Sequence, residues 1–235
     1  MKAVFFDFGG TLYDYATLVP GDRESLTELC RLAGVCDGIE RAPEVHREAM
    51  KRVFREYLGR PYYRHGDMFR DAVLAMVREL GGSANDEHLA SYVRLQRELH
   101  RRDFRLREGA IETLEEIRRR GLGLGIVSNI DDDQLAHLAE LAGLEPYFDW
   151  LLSSETAQSC KPDAAIFAEA LRRAGCRADE ALFVGDSLSQ DIAGANRAGL
   201  RSVLLWHRED RDPPRDGIRP RHVIRRLPEV LDLLD

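Results

Sequence analysis

The sequence predicts an α/β protein built on a parallel sheet with crossover helices and interrupted by an all-helical insertion. Three observations carry that prediction. From residue 106 onward, short apolar runs alternate with helix-period segments at close intervals, the pattern of parallel strands joined by helices. Residues 15 to about 105 hold helix-period runs in succession with no strand pattern between them. Ahead of both, Ala3 to Phe6 is an apolar, β-prone run, long enough for a strand buried on both faces and too short for a helix.

The elements follow in order. After the first strand, helix-period runs at Ala42 to Tyr57, Asp67 to Leu80 and Asp86 to Phe104 make up the insertion. Glu108 to Arg120 then reads as an amphipathic helix, closed by Gly121, before a strand over Leu122 to Val127 that runs into Ser128 and Asn129. Asp132 to Ala142 is a helix stopped by Gly143, and Trp150 to Leu152 a short strand. A helix over Asp163 to Ala174 leads to a strand over Ala181 to Val184, which ends in Gly185 and Asp186. A helix over Asp191 to Ala198 and a strand over Arg201 to Trp206 complete a sheet of five strands or slightly more. The Pro-, Arg- and Asp-rich segment from Asp210 to Pro220 reads as a surface loop, and Pro228 as the start of a short terminal helix.

Composition narrows the function classes. A chain of 235 residues with 44% hydrophobic composition can bury a sizeable core, as one large domain or a core with a smaller inserted domain. Its longest apolar stretches fall far short of a membrane span, and Lys2 is followed by no small-residue cleavage site, so a cytoplasmic protein is expected. A net charge of -7, with arginines spread among acidic residues on helical segments, argues against nucleic acid. Cys30, Cys36, Cys160 and Cys176 form no metal-binding or redox pair and read as incidental thiols. The chain has only three lysines (Lys2, Lys51, Lys161), which makes each worth inspecting.

Parallel strands place their carboxyl ends on one edge of the sheet, where open α/β sheets bind ligands. The polar residues there are Asp7, Ser128 with Asn129, and Asp186, with Lys161 just before a helix and Asp191 shortly after Asp186. Singly, each has a plain structural role: Ser128 and Asp191 as helix caps, Lys161 as a solvated charge, Asp186 as a turn residue. Independent caps would not be expected to gather an Asp, a Ser, a Lys and an acidic pair on one edge. Asp7, Asp186 and Asp191 together would repel unless a cation were present, and Lys161 offsets one charge only. A hard divalent ion with oxygen ligands completes the set; Mg2+, bound by one or two carboxylates and a substrate phosphate, suits it. The Ser128 hydroxyl, backbone N–H groups near Gly9 and Gly10, Asn129 and the Lys161 ammonium would then bind the phosphoryl group, and Asp7 would attack it.

Four segments carry a resemblance over nearly the whole length: FFDFGGTL around Asp7, GIVSN around Ser128, CKPDAAIF around Lys161 and FVGDSLSQDIAGA around Asp186 and Asp191. With them in this order, the chain resembles the haloacid dehalogenase superfamily of hydrolases. The resemblance implies a Rossmann-like three-layer core over 1–14 and 106–235 and a helical cap over 15–105. It also implies roles: Asp7 as nucleophile and metal ligand, Ser128 as phosphate donor, Lys161 as charge stabiliser, Asp186 as metal ligand, Asp191 as a further acidic group ordering the metal, and the Gly9 backbone carbonyl as another metal ligand. A monomer or homodimer acting on a small phosphorylated metabolite is expected.

One position departs from the pattern. Phosphatases of this superfamily usually read Asp-x-Asp and use the second Asp as general acid and base, whereas this chain has Gly9. Such proton transfer contributes about 10²- to 10⁴-fold, so its loss slows chemistry without abolishing it. A Mg2+-dependent phosphatase ranks first. A 2-haloacid dehalogenase also lacks the second Asp, but those enzymes usually lack the Gly185, Asp186 and Asp191 pattern too. Phosphonate cleavage would need Lys51, which adjoins Arg52 in a helical run and reads as solvated. A phosphate- or partner-binding scaffold without turnover has Gly9 as its only support. Tyr62, Tyr63, Arg64 and His65 read as an exposed loop or a junction between cap helices in preference to a substrate pocket, and Asp14 as a turn or helix-cap residue in preference to a stand-in acid.

Overall fold

The computed structural model describes residues 1–208, 212–213 and 217–234. Among them, six strands form one parallel sheet: β1 (Ala3–Phe6), β2 (Gly123–Ser128), β3 (Trp150–Ser153), β4 (Ala181–Gly185), β5 (Arg201–Leu205) and β6 (His222–Ile224). Their order across the sheet is β3-β2-β1-β4-β5-β6. β1 therefore lies between β2 and β4, at the point where successive connections leave in opposite directions, and such a switch point opens a crevice at the carboxyl edge. The ladders pair Phe6 with Ile126 on one side and with Val184 on the other, so the residues just past these strands reach one level.

The strands read as near-continuous apolar runs because both faces of the sheet are covered. Val4, Phe5 and Phe6 are fully buried. On one face Phe5, Val127, Leu152 and Phe183 pack with Ile166, Phe167 and Ala170. These last three come from α8 (Ala164–Ala174), whose N-cap Asp163 accepts a hydrogen bond from the Ala165 N–H at 2.9 Å. Gly125 sits mid-strand for a steric reason: the Trp150 ring of β3 occupies the place a Cβ would take. The same ring packs against Phe5 in a tilted contact, 5.2 Å between centroids.

The chain divides into two compact units, Met1–Asp14 with Arg105–Asp235, and Tyr15–Phe104. The second is all helical among its described residues: α1 (Val19–Leu32), α2 (Ala42–Tyr57), α3 (His65–Glu79) and α4 (Asp86–Asp103), with short 3-10 turns. Its interior is a separate core of Leu26, Leu29, Val45, Ala49, Val73, Met76 and neighbours. α4 begins where the Asn85 side chain accepts the His88 N–H at 2.9 Å. The first unit contains α5 (Ala110–Arg119), α6 (Asp132–Ala142), α7 (Ser154–Ala157), α8 and α9 (Ala193–Arg197). No described helix is long and apolar enough to cross a membrane.

The structure corrects several sequence expectations. α1 lies in a stretch for which the sequence reading named no helix, because Pro20 and Gly21 at its start mask the pattern. The sixth strand, β6, is three residues flanked by arginines and too short to show a period. The helix expected over Asp191 to Ala198 is one π turn, Leu188–Ile192, followed by α9. It is widened because the Ser187 carbonyl accepts from the N–H groups of both Asp191 (2.9 Å) and Ile192 (3.1 Å). The helix expected from Glu108 begins at Ala110, after Gly109. Of the loop read over Asp210 to Pro220, residues 210–211 and 214–216 lie outside the described residues. The terminal helix at Pro228 is a 3-10 helix, Leu227–Leu233.

Candidate active site

The three central strands, β2, β1 and β4, each deliver one polar group at their carboxyl ends. Asp7 follows β1 directly and its N–H donates to the Val184 carbonyl at 2.8 Å, which fixes where the side chain leaves the sheet. Asp7 is only 6% exposed. Its Oδ1 accepts from the Ser128 hydroxyl at 3.1 Å and from Lys161 Nζ at 2.6 Å, and its Oδ2 from the Thr11 hydroxyl at 3.3 Å. Ser128 is the last residue of β2, so strand geometry alone brings it beside Asp7.

Lys161 lies on the connection ahead of α8, and a neighbour sets its position. Asn129 uses both ends of its amide on the Lys161 main chain: Nδ2 donates to the Lys161 carbonyl (2.9 Å), and Oδ1 accepts from the Lys161 N–H (2.7 Å). The ammonium, 1% exposed, bridges Asp7 Oδ1 and Asp191 Oδ1 at 2.6 Å each. Asn129, expected to touch a substrate, thus spends its side chain holding the lysine.

Asp186 and Asp191 need room that two glycines supply. Gly10 has φ +83°, and a Cβ there would fall on the Asp186 carboxylate; a Cβ at Gly185 would fall on Asp191. The Asp191 Oδ2 accepts the Ser187 N–H at 2.9 Å, so the π turn aims this carboxylate back at Lys161. Oxygens of Asp7, Asp186 and Asp191 all lie within 4.8 Å of one another.

The electrostatics follow from the charge count. Burial pushes the Asp186 carboxyl up, and the charges of Asp7 and Asp191 add to this, to about 7 despite Lys161 and Arg107. Burial also raises Asp191, and Lys161 only partly restores it. Burial works against the Lys161 charge, but Asp191 and Asp7 more than offset it, and its pKa stands above the ordinary lysine value. The cluster therefore carries more negative than positive charge. An oxygen-only donor set with uncompensated charge fits a hard divalent cation such as Mg2+.

The remaining sequence candidates have the following surroundings. Lys51 pairs with Glu48 at 2.8 Å on an exposed face of α2, as expected of a solvated lysine. Tyr63 and His65 are buried, and Tyr63 packs on Tyr57 (5.2 Å) and His65 (4.6 Å) between α2 and α3, so the exposed-loop reading fails for these two, which sit at a junction between helices. Asp14 accepts from Arg107 Nη1 at 3.5 Å. Gly9 is buried and bridges Tyr13. All four cysteines are free thiols. The sequence reading missed Thr11, whose only signal was its place beside Gly10, and the positioning part of Asn129.

Comparison with known proteins agrees with this architecture. A family model described as haloacid dehalogenase-like hydrolase matches residues 1–199. The chain is 32% identical to a glyceraldehyde 3-phosphate phosphatase of Methanopyrus kandleri, covering 100% of this chain and 97% of the relative. It is 31% identical to a ribulose-1,5-bisphosphate 5-phosphatase of Halopiger xanaduensis, covering 99% and 98%. A haloacid dehalogenase-type phosphatase structure from Thermococcus onnurineus superposes with a TM-score of 0.75 at 26% identity, covering 100% of this chain and 98% of that one. A switch-point acid cluster, a matching family model and full-length relatives agree, and the chain belongs to the haloacid dehalogenase-like hydrolases.

Proposed function

We propose that this hydrolase is a Mg2+-dependent phosphatase that cleaves small phosphorylated sugars through an aspartyl-phosphate on Asp7. The observation that carries the reading is the buried cluster in which Lys161 bridges Asp7 and Asp191 while Asp186 stands close by. The activities of the two relatives matched over nearly their whole length suggest the substrate class, a triose or pentose phosphate.

Lys161 and Ser128 both hold Oδ1 of Asp7, which orients the carboxylate for attack. An Asp7 oxygen forms a bond to phosphorus as the ester oxygen leaves and takes up a proton from water, since Gly9 supplies no acid. Water then breaks the acyl phosphate, releasing inorganic phosphate and restoring the carboxylate. Lys161, Ser128 and backbone N–H groups of the turn after Asp7 would offset charge on the phosphoryl oxygens. Asp7, Asp186, Asp191 and the Gly9 carbonyl would hold Mg2+, which neutralises phosphoryl charge when bound. Residues 15–105 would serve as a cap. The intact acidic pair Asp186 and Asp191 favours this reading over a metal-independent dehalogenase, and an occupied nucleophile position favours it over a binding scaffold.

Phosphate release from a panel of sugar phosphates, with Mg2+ and with chelator, tests the proposal. Turnover should require Mg2+, and Asp7→Asn should abolish it while the circular dichroism of the fold is kept. Full activity of Asp7→Asn, or halide release from 2-halo acids in place of phosphate release, would overturn it.

A further inference from the structure

Arg107 is one of 31 arginines, and nothing in the sequence marks it. In the structure it lies against the turn that follows β1. Its main-chain N–H donates to the Leu12 carbonyl at 2.8 Å, and Leu106 bridges Tyr13. The guanidinium places two donors on one acceptor, Nε at 3.0 Å and Nη2 at 2.8 Å from the Gly10 carbonyl, while Nη1 reaches Asp14 Oδ2 at 3.5 Å. The side chain is 16% exposed.

This grip answers a weakness that the site itself creates. Residue 10 is glycine because the Asp186 carboxylate occupies the space of a Cβ, and a glycine at φ +83° leaves the next peptide with little side-chain restraint against flipping. The Gly10 to Thr11 peptide is planar, so a carbonyl held toward Arg107 turns the Thr11 N–H the opposite way. The same peptide sets the start of Thr11, whose hydroxyl donates to Asp7 Oδ2.

We infer that Arg107 is a positioning residue for the nucleophile turn: by clamping the Gly10 carbonyl it fixes the Gly10 to Thr11 peptide, and through it the backbone donors and the Thr11 contact beside Asp7. Arg107 touches no reacting atom. Lysine cannot replace it, because one ammonium on a flexible stem does not reproduce a planar fork with two donors on one oxygen and a third toward Asp14. The catalytic consequence rests on the phosphatase reading; the structural one does not.

Amide hydrogen exchange over residues 7–13 tests the inference directly. The reporters are the Gly10 N–H, bonded to the Tyr13 carbonyl at 3.0 Å, and the Leu12 N–H, bonded to the Phe8 carbonyl at 2.9 Å. In Arg107→Ala both should exchange about tenfold faster or more, the equivalent of one charge-assisted hydrogen bond. Millimolar ethylguanidinium should restore protection and ethylammonium should not. In the activity arm, kcat should fall about tenfold or more with KM nearly unchanged, and ethylguanidinium should recover it in parallel. Arg107→Lys, which keeps the charge and loses the fork, should show the same loss in smaller measure and carries the comparison if the alanine variant does not fold. Wild-type protection of Gly10 and Leu12 in both variants would overturn the inference. So would a loss of protection spread through β1 and β4 that ethylguanidinium does not reverse, since that is a merely structural role. If the wild-type protein releases no phosphate, the phosphatase reading fails and the exchange arm still decides the part played by Arg107.

Discussion

Two polar clusters, one in each unit, differ in how their charge is answered. In the helical unit Asp22 of α1 accepts from Gln96 Nε2 at 3.0 Å and lies 3.2 Å from His100 Nε2, and Gln96 also reaches the Tyr92 hydroxyl at 3.1 Å. That is one carboxylate with uncharged or titratable partners, and its side chain is 40% exposed, so water shares the load. In the sheet unit three carboxylates meet one ammonium, with Asp7, Lys161 and Asp191 all nearly sealed from solvent. The first cluster is what packing needs to join α1 to α4 without orphaned polar groups. The second gathers more negative than positive charge out of water, the kind of arrangement that clusters at functional sites and that packing alone does not call for.

Substitutions around the two clusters should have graded effects. The largest is at Gly9: if the missing acid limits the rate, Gly9→Asp should raise turnover of substrates with poor leaving groups by up to about 10²- to 10⁴-fold and flatten the dependence on leaving-group pKa. An unchanged slope would mean that another group already delivers the proton. Next, Lys161→Met leaves Asp7 and Asp191 buried without their counter-charge and should cost about 3–5 kcal/mol in denaturant unfolding without added metal. A loss below 1 kcal/mol would be on the order of a surface pair and would refute the account of Lys161 as the centre of a buried network. Gln96→Ala should cost only about 1 kcal/mol, because Asp22 can turn to water.

The smallest effect is a pH dependence in the helical unit. Burial holds the His46 pKa below its usual value, opposed by Asp22, and its Nε2 is buried without a hydrogen-bond partner among the described residues. The unfolded chain then binds the proton first. Stability should fall as pH drops below about 6.5 and level off below the folded pKa, at no more than about 1.4 kcal/mol per pH unit. Comparing the pH dependence of the melting temperature in wild type and His46→Gln isolates this contribution: the variant should lose that part of the slope.

What could be read from the sequence follows from how local each signal is. β1 and Asp7 are plain because an apolar run ends abruptly in a carboxylate and two glycines, all within ten residues. Lys161 stood out through rarity, being one of three lysines. α2 was legible to the residue because its apolar period is unbroken from Ala42 to Tyr57. Other features depend on partners distant in sequence. Gly125 looks like a defect in a strand until the Trp150 ring is laid across it. Asn129 looks like a ligand-binding amide until Lys161 arrives from 32 positions away. Arg107 carries no local signal at all, since its meaning lies in a carbonyl 97 residues earlier.

The Trp150 ring that fills the gap over Gly125 has a spectroscopic consequence. The chain has two tryptophans, Trp150 and Trp206, and both belong to the sheet unit. Tryptophan emission therefore follows the melting of the sheet alone, while far-ultraviolet circular dichroism follows the helices of both units. Recorded on one sample, the two signals separate a single cooperative transition from stepwise unfolding, without a label or a truncated chain.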